Sequence, residues 1–178
     1  RTIENPVFFE VGAANGEDTA KISVINPNVI YYAFEPDIRN LEALKARNLK
    51  VNIIESAVGS YNGKTIFYMS SGTNPTYGFE HTFSSSTKRP RKHLEIFPWC
   101  KFEKIVNANI CTLDKFCAGN KIKRIDFLWV DIQGAEQELI KGAKKMLKKV
   151  GYLYLEYCDT KMYDGQLSYD QLIALVQD

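Results

Sequence analysis

The feature that most constrains this chain is Val7–Gly16, VFFEVGAANG, read together with the apolar run that follows and closes on an acid, VIYYAFE, ending at Glu35. A short apolar strand enters a glycine turn, a polar stretch able to begin a helix follows, and a second strand ends in a carboxylate. Val29–Phe34 is apolar without alternation, the pattern of a strand covered on both faces, as in a parallel sheet flanked by helices. Small residues in such a turn let the backbone approach a ligand closely. An acid at the tip of the second strand accepts hydrogen bonds from ribose hydroxyls. The arrangement points to a nucleoside-cofactor site.

The rest of the chain extends this alternation. Gly16–Ile25 reads as the first helix. Pro36 breaks the second strand, and Asp37 can cap a helix whose Ile38, Leu41 and Leu44 fall on one side. Val51–Ile54 is a third strand, ending near Ser56-Ala57-Val58-Gly59. Strands alternating with helices indicate an open α/β sheet. Tyr61–Lys64 is a turn, Thr65–Met69 alternates like an exposed strand, and Lys104–Cys111 returns as a strand before Thr112 caps a short helix through Phe116. Ile125–Ile132 is the second strongly apolar strand, with Asp131 at its carboxyl end. Leu139, Ile140, Ala143 and Leu147 mark an amphipathic helix, Tyr152–Tyr157 a further strand and Tyr169–Val176 the last helix. A doubly wound domain often carries more strands after such a helix, so the C-terminal edge of the sheet is expected to be incomplete. Residues 70–103 show no period and are rich in Ser, Thr, Pro, Gly and basic side chains; an insert of that length is usually functional or disordered.

Composition narrows the function classes. At 178 residues the natural count is one domain, 1–178, with enough chain for a full core. The net charge of +2 is too small to announce a nucleic-acid binder. Cys100, Cys111, Cys117 and Cys158 form no CxxC pair and lack nearby histidines, which argues against structural zinc and for free thiols. No apolar run approaches the roughly 20 residues that span a bilayer, and no signal peptide is visible, so a cytoplasmic location is expected. The first residue is Arg rather than Met, which reads as a segment excised from a longer chain. No feature specifies an oligomeric state.

The cofactor type is readable from the turn itself. A dinucleotide fingerprint wants GxGxxG, whereas here Gly12-Ala13-Ala14-Asn15-Gly16 follows an acid, Glu10. A carboxylate beside a pyrophosphate repels it, but suits the amino group of a methionine-derived moiety. S-adenosylmethionine is therefore favoured over NAD or FAD. In an open α/β sheet ligands sit outside the carboxyl ends of the strands, which directs Asp131 into the cleft. Asp131 can also cap the following helix, and Glu136 is read as favouring that helix's N-terminal dipole.

The ordered set EVGAANG, FEPD, SAVG with NG shortly after, TLDKF, DFLWVDIQGAE and a strand ending in Glu resembles the FkbM-type methyltransferases, over roughly residues 7 to 157. These are S-adenosylmethionine-dependent enzymes, many of which methylate hydroxyls on sugars or on glycosylated and polyketide products. The resemblance implies a Rossmann-like α/β fold. It places Glu10, Gly12, Asn15 and Gly16 around the methionine part, Glu35 on the ribose, and Ala57 and Val58 near the adenine. Ala13 and Pro36 belong to the same two motifs, and Asp131 and Ser86 complete the expected cofactor contacts. Gln133 departs from the family's usual Glu in D-x-E-G-x-E, which puts in doubt any role needing a charge there.

The insert carries Lys88-Arg89-Pro90-Arg91-Lys92-His93, read either as a solvated loop tip or as a guide for an anionic substrate such as a phosphorylated or nucleotide-linked sugar. Tyr77, Phe79, Phe83, Phe97, Trp99 and Phe102 are too dense to be all exposed, so the insert is expected to pack down as a substrate lid. His81 and His93 are the two histidines. Ser84 and Ser85 read as loop filler. Lys141, Lys144, Lys145, Lys148 and Lys149 read as a solvated helix face. Glu156 and Asp159 near Asp131 offer oxygens of the type that hold Mg²⁺, although no metal is expected. The expected function is methyl transfer from S-adenosylmethionine to a hydroxyl of a sugar or glycan, with Asp131 as the first candidate base and His81 the second. The alternatives are a nucleic-acid methyltransferase using the basic insert and a non-catalytic module.

Overall fold

The computed structural model describes residues 3–76 and 78–177; Tyr77, one of the insert aromatics, lies outside them. In chain order the elements are β1 (Val7–Val11), α1 (Glu17–Ser23), β2 (Ile30–Phe34), α2 (Ile38–Ala46), β3 (Asn52–Ile54), β4 (Ala57–Val58) and β5 (Gly63–Ser71). They continue with α3 (His93–Ile96), β6 (Lys101–Cys111), α4 (Leu113–Gly119), β7 (Ile125–Val130), α5 (Glu136–Gly142), β8 (Val150–Leu155) and α6 (Tyr169–Gln177). A parallel five-stranded sheet runs in the order β3-β2-β1-β7-β8, and β4-β6-β5 form a second sheet in which β5 and β6 are antiparallel. This is the Rossmann-like α/β fold expected from the alternating apolar runs.

Side-chain alternation along the central strands divides the core. Phe9, Val11, Phe34, Leu128 and Val130 pack with Leu113 and Leu139, while Ala13, Tyr31, Ala33 and Leu44 form a second cluster. Each such side chain buried in full contributes about 1.5–3 kcal/mol by removal from water. Local chemistry starts the helices where the sequence predicts: Asp37 accepts the Arg39 amide at 3.1 Å, and the Thr112 hydroxyl accepts the Lys115 amide at 3.2 Å.

Two segments differ from the sequence reading. The helix after Asp131 stops at Gly142 instead of running to Leu147. The Asp114 carboxylate, from α4, accepts the amides of Lys145 (3.0 Å) and Met146 (2.8 Å), which diverts the chain into a turn that still buries Ala143 and Met146. The second concerns residues 70–103. The β5–β6 hairpin takes both ends of it, since β5 reaches Ser71 and β6 starts at Lys101. The remainder is tied down by short bridges pairing Tyr68 with Ser86, Thr73 with Glu80 and Pro90 with Tyr163. Among the described residues no helix is long and apolar enough to cross a membrane.

The end of α5 passes so close to the β4 loop that a Cβ at Gly142 would lie 1.9 Å from the Gly59 carbonyl oxygen. Gly142→Ala is therefore expected to destabilise the protein by about 1–3 kcal/mol through overpacking. Gly119, at the end of α4, faces open space. Gly119→Ala should be neutral or stabilising by about 0.5 kcal/mol. Urea-unfolding midpoints of the two variants check the contrast.

Candidate active site

The carboxyl ends of β1, β2, β4 and β7 surround a cleft of about 330 Å³, within the range of roughly 300–1,000 Å³ usual for small-molecule sites. At its floor the chain leaves β1 through Gly12, φ +94°, a backbone conformation that favours glycine. A Cβ there would meet the Asp131 carbonyl oxygen at 1.8 Å. The amides of Gly12 and Ala13 both donate to the Phe34 carbonyl at 3.0 Å, which ties the turn to the end of β2. Gly12, Ala13, Ala14 and Asn15 line the cleft.

Glu10 also lines it and is 3% exposed. Its Oε2 accepts hydrogen bonds from Thr19 Oγ1 (2.5 Å) and Tyr31 Oη (2.7 Å). Burial pushes its pKa up to about 7 against the pull of those two donors. Glu35 is equally enclosed. Its Oε2 accepts the Ala14 amide at 2.8 Å and its Oε1 the Asp37 amide at 2.7 Å, so the carboxylate braces the glycine turn against the start of α2. Burial again pushes its pKa to about 7, despite these donors.

Asp131 sits at the end of β7, held there by its amide donating to the Val11 carbonyl at 2.9 Å. Burial, and then the charge of Glu156, push its pKa up to about 7; the Gln133 side-chain amide, donating to Oδ1 at 2.7 Å, opposes that rise. Gln133 has φ +53° and its Oε1 lies 3.3 Å from the Tyr163 hydroxyl. Where a Glu would add a further acid, this Gln supplies a donor to Asp131. Glu136 starts α5 as expected, its Oε1 accepting the Gly134 amide at 2.9 Å, and burial raises its pKa to about 7.

Pro36, Ala57, Val58 and Ser86 complete the predicted residues found in the lining. Two predicted residues are placed elsewhere. Gly16 does not line the cleft: it precedes α1 and packs on α2, where a Cβ would lie 2.3 Å from Leu44 Cδ1. His81 lines neither the cleft nor the smaller cavity described next. Its ring sits edge-on to Phe83 and Trp99, and its Nε2 lies 2.7 Å from Ser84 Oγ.

A second cavity of about 180 Å³ adjoins the first and shares Asp131, Gln133 and Glu156 with it. Tyr163 and His93, which carry no periodic signal in the sequence, belong to its wall. The serines read as filler are structural ties. The Ser85 hydroxyl lies 3.0 Å from Asp37 Oδ2, and Ser84 Oγ meets His93 Nε2 at 2.9 Å as well as His81. The basic segment is partly neutralised, with Lys88 paired to Glu138 at 2.5 Å and Arg91 to Asp164 at 3.5 Å. All four cysteines are free thiols. Among the described residues no three His, Cys, Asp or Glu side chains are placed to hold a metal, and Asp159 lines neither cavity.

Acids dominate the larger cleft. Among the described residues Glu10, Glu17, Asp18, Glu35, Asp131 and Glu156 line it, and no Lys or Arg does. This chain belongs to the FkbM methyltransferase family, whose domain, described as "Methyltransferase FkbM domain", matches residues 10–178. It is 30% identical over 177 residues to the 2-O-methyltransferase NoeI of Sinorhizobium fredii (strain NBRC 101917 / NGR234), covering 97% of this chain and 71% of that protein. No solved structure matches it.

The buried acids set the pH dependence of stability. Glu10, Glu35 and Glu136 bind protons more tightly folded (about 7) than at their ordinary 4.5. Their contribution is fully present below about 4.5 and is lost as pH rises through about 7. His81 and His93, whose pKa values burial lowers, act in the opposite sense at acid pH, below their ordinary 6.5. The ligand-free protein should therefore lose thermal stability between pH 6.5 and 8, and Glu10→Gln should lose less. Melting curves over that range check both.

Proposed function

We propose that this chain transfers a methyl group from S-adenosylmethionine to a hydroxyl oxygen of a sugar or glycan. The observation that carries the donor assignment is the cleft's charge: among the described residues, six carboxyl groups and no lysine or arginine line it. Such a lining repels phosphates and favours a ligand with an ammonium and a sulfonium. The residues fit that group in kind. Glu10 faces the cleft as an acceptor for the amine, and the Glu35 carboxylate, bonded by Ala14, Asp37 and Asn40, keeps acceptor capacity for one ribose hydroxyl. Ala57 and Val58 offer apolar surface for a base. When bound, the cofactor supplies an electrophilic methyl group.

The protein's own work is then alignment and proton removal. A hydroxyl gains nucleophilicity as its proton leaves, and Asp131 is placed to accept that proton. With a pKa near 7 it is a stronger base than an ordinary aspartate yet ionised in most molecules at mildly alkaline pH. Gln133 holds the carboxylate in place through Oδ1. Thr82, Phe83, Ser85, Ser86 and Thr87 line the cleft, which supports a substrate-contacting role for this segment. The 2-O position in the relative's name agrees with a hydroxyl oxygen as acceptor.

Calorimetry with S-adenosylmethionine, joined to labelled-methyl transfer onto a sugar panel, tests the reading; a folded chain that binds no cofactor would refute it. Asp131→Asn should bind the cofactor within a few-fold of wild type and lose about 10²–10⁴ in turnover. For the wild type, kcat/KM for S-adenosylmethionine, which reports the ligand-free enzyme, should rise with pH through about 7 and level off above, because the base works only when ionised. A pH–rate profile flat across pH 6–8 would remove Asp131 as the base.

A further inference from the structure

We infer that the smaller cavity is the acceptor site, and that it takes a sugar ring that is uncharged or bears an ammonium group, in preference to a phosphorylated or nucleotide-linked one. The inference rests on the reading of the larger cleft as the donor site. Asp131, Gln133 and Glu156 line both cavities, so a ring held in the smaller one presents its hydroxyls to the same carboxylate that faces the donor cleft.

The walls are those of a carbohydrate site. Phe97, Tyr157 and Tyr163 supply aromatic surface, with Tyr157 exposed and its ring centroid 5.0 Å from that of Tyr169, the two rings tilted at 46°. Aromatic faces pack on the C–H faces of sugar rings, while carboxylates accept from their hydroxyls. The lining also holds an unsatisfied group. His93 is 4% exposed, and its Nε2 meets Ser84 Oγ, but its Nδ1 is buried without a partner. Buried polar atoms in folded proteins nearly always have partners. A ligand hydroxyl both donates and accepts, so it completes His93 Nδ1 in either tautomer.

Charge selects among sugars. Among the described residues Asp131, Glu136 and Glu156 line the cavity and no Lys or Arg does. A phosphate dianion entering there meets like charge in a partly dry site, where repulsion is strong. In the basic segment Lys88 is held by Glu138 and Arg91 by Asp164, while Arg89 and Lys92 are exposed and do not line the cavity.

The test uses methyl glycosides of several hexoses, each as the neutral sugar, the 6-amino-6-deoxy sugar and the 6-phosphate, with labelled S-adenosylmethionine and the intact chain. Neutral or amino forms should exceed their phosphates at least tenfold in kcat/KM. Equal or better turnover of the phosphates overturns the charge assignment while leaving sugar methylation standing. Turnover of no member in any form overturns the sugar reading together with this one. Location is tested separately by Tyr157→Ala, at the exposed rim, and His93→Gln. Each should raise the acceptor KM at least fivefold while the calorimetric Kd for S-adenosylmethionine stays within twofold. Tyr157→Ala tests the cavity even where the buried His93 variant fails to fold, and an unchanged acceptor KM in a folded Tyr157→Ala variant overturns the assignment.

Discussion

The site depends on one backbone contact, the approach of Gly12 to the carbonyl of Asp131. No side chain fits between them, since even a methyl carbon at residue 12 would stand 1.8 Å from that oxygen. The contact is imposed by the β1–β7 ladder, in which Asp131 donates to Val11 at 2.9 Å, and β8 repeats the step as Glu156 donates to Val130 at 2.9 Å. Three strand ends thus form a rigid corner. The same turn reaches β2 through the Phe34 carbonyl and there meets Glu35. The spacing between the two ends of the cleft is therefore set by main-chain hydrogen bonds, which side-chain substitution scarcely moves.

Much of this was legible because its causes are local. Apolar runs announced β1, β2, β7 and β8, and Asp37 and Thr112 cap the helices they precede in the sequence. Glu10, Glu35, Ala57, Val58, Ser86 and Asp131 line the cleft because strand ends and motif spacing place them there. What failed to show in the sequence is long-range. The early stop of α5 needs Asp114, about 30 residues upstream, to capture two amides. Gly16 was assigned to the ligand, but its neighbour is Leu44 on another helix. His81 was a candidate base because it sits among aromatic residues of an insert expected to fold over the cleft; its ring instead packs edge-on to Trp99 and does not line the cleft. Tyr163 sits in irregular chain, where no periodicity marks a buried residue.

The electrostatic character of the site follows from the same packing. Glu10, Glu35, Asp131 and Glu136 are each driven by burial towards holding a proton near neutrality. Donors already built into the fold, from Thr19, Tyr31, Ala14 and Gln133, hold three of these carboxyls in place without bringing in a positive charge. A cation entering the cleft would favour their ionised forms, so binding and proton release are coupled. The departure at Gln133 fits this economy of charge: it adds a donor where a further acid would have deepened the repulsion around Asp131.

The serine between the two histidines carries a consequence of simple counting. Ser84 Oγ lies within hydrogen-bonding distance of both His81 Nε2 and His93 Nε2. One hydroxyl has a single proton to give, and the Cys100 thiol is a third partner for it; where that proton goes to one imidazole and both rings are neutral, Ser84 Oγ receives from the other. The two rings are then obliged to be opposite tautomers, and exchanging their roles requires each to move its proton across the ring. In that arrangement the trio is a two-position latch, and whichever partner settles His93 Nδ1 also sets, through the shared hydroxyl, where the proton sits on a histidine outside both cavities.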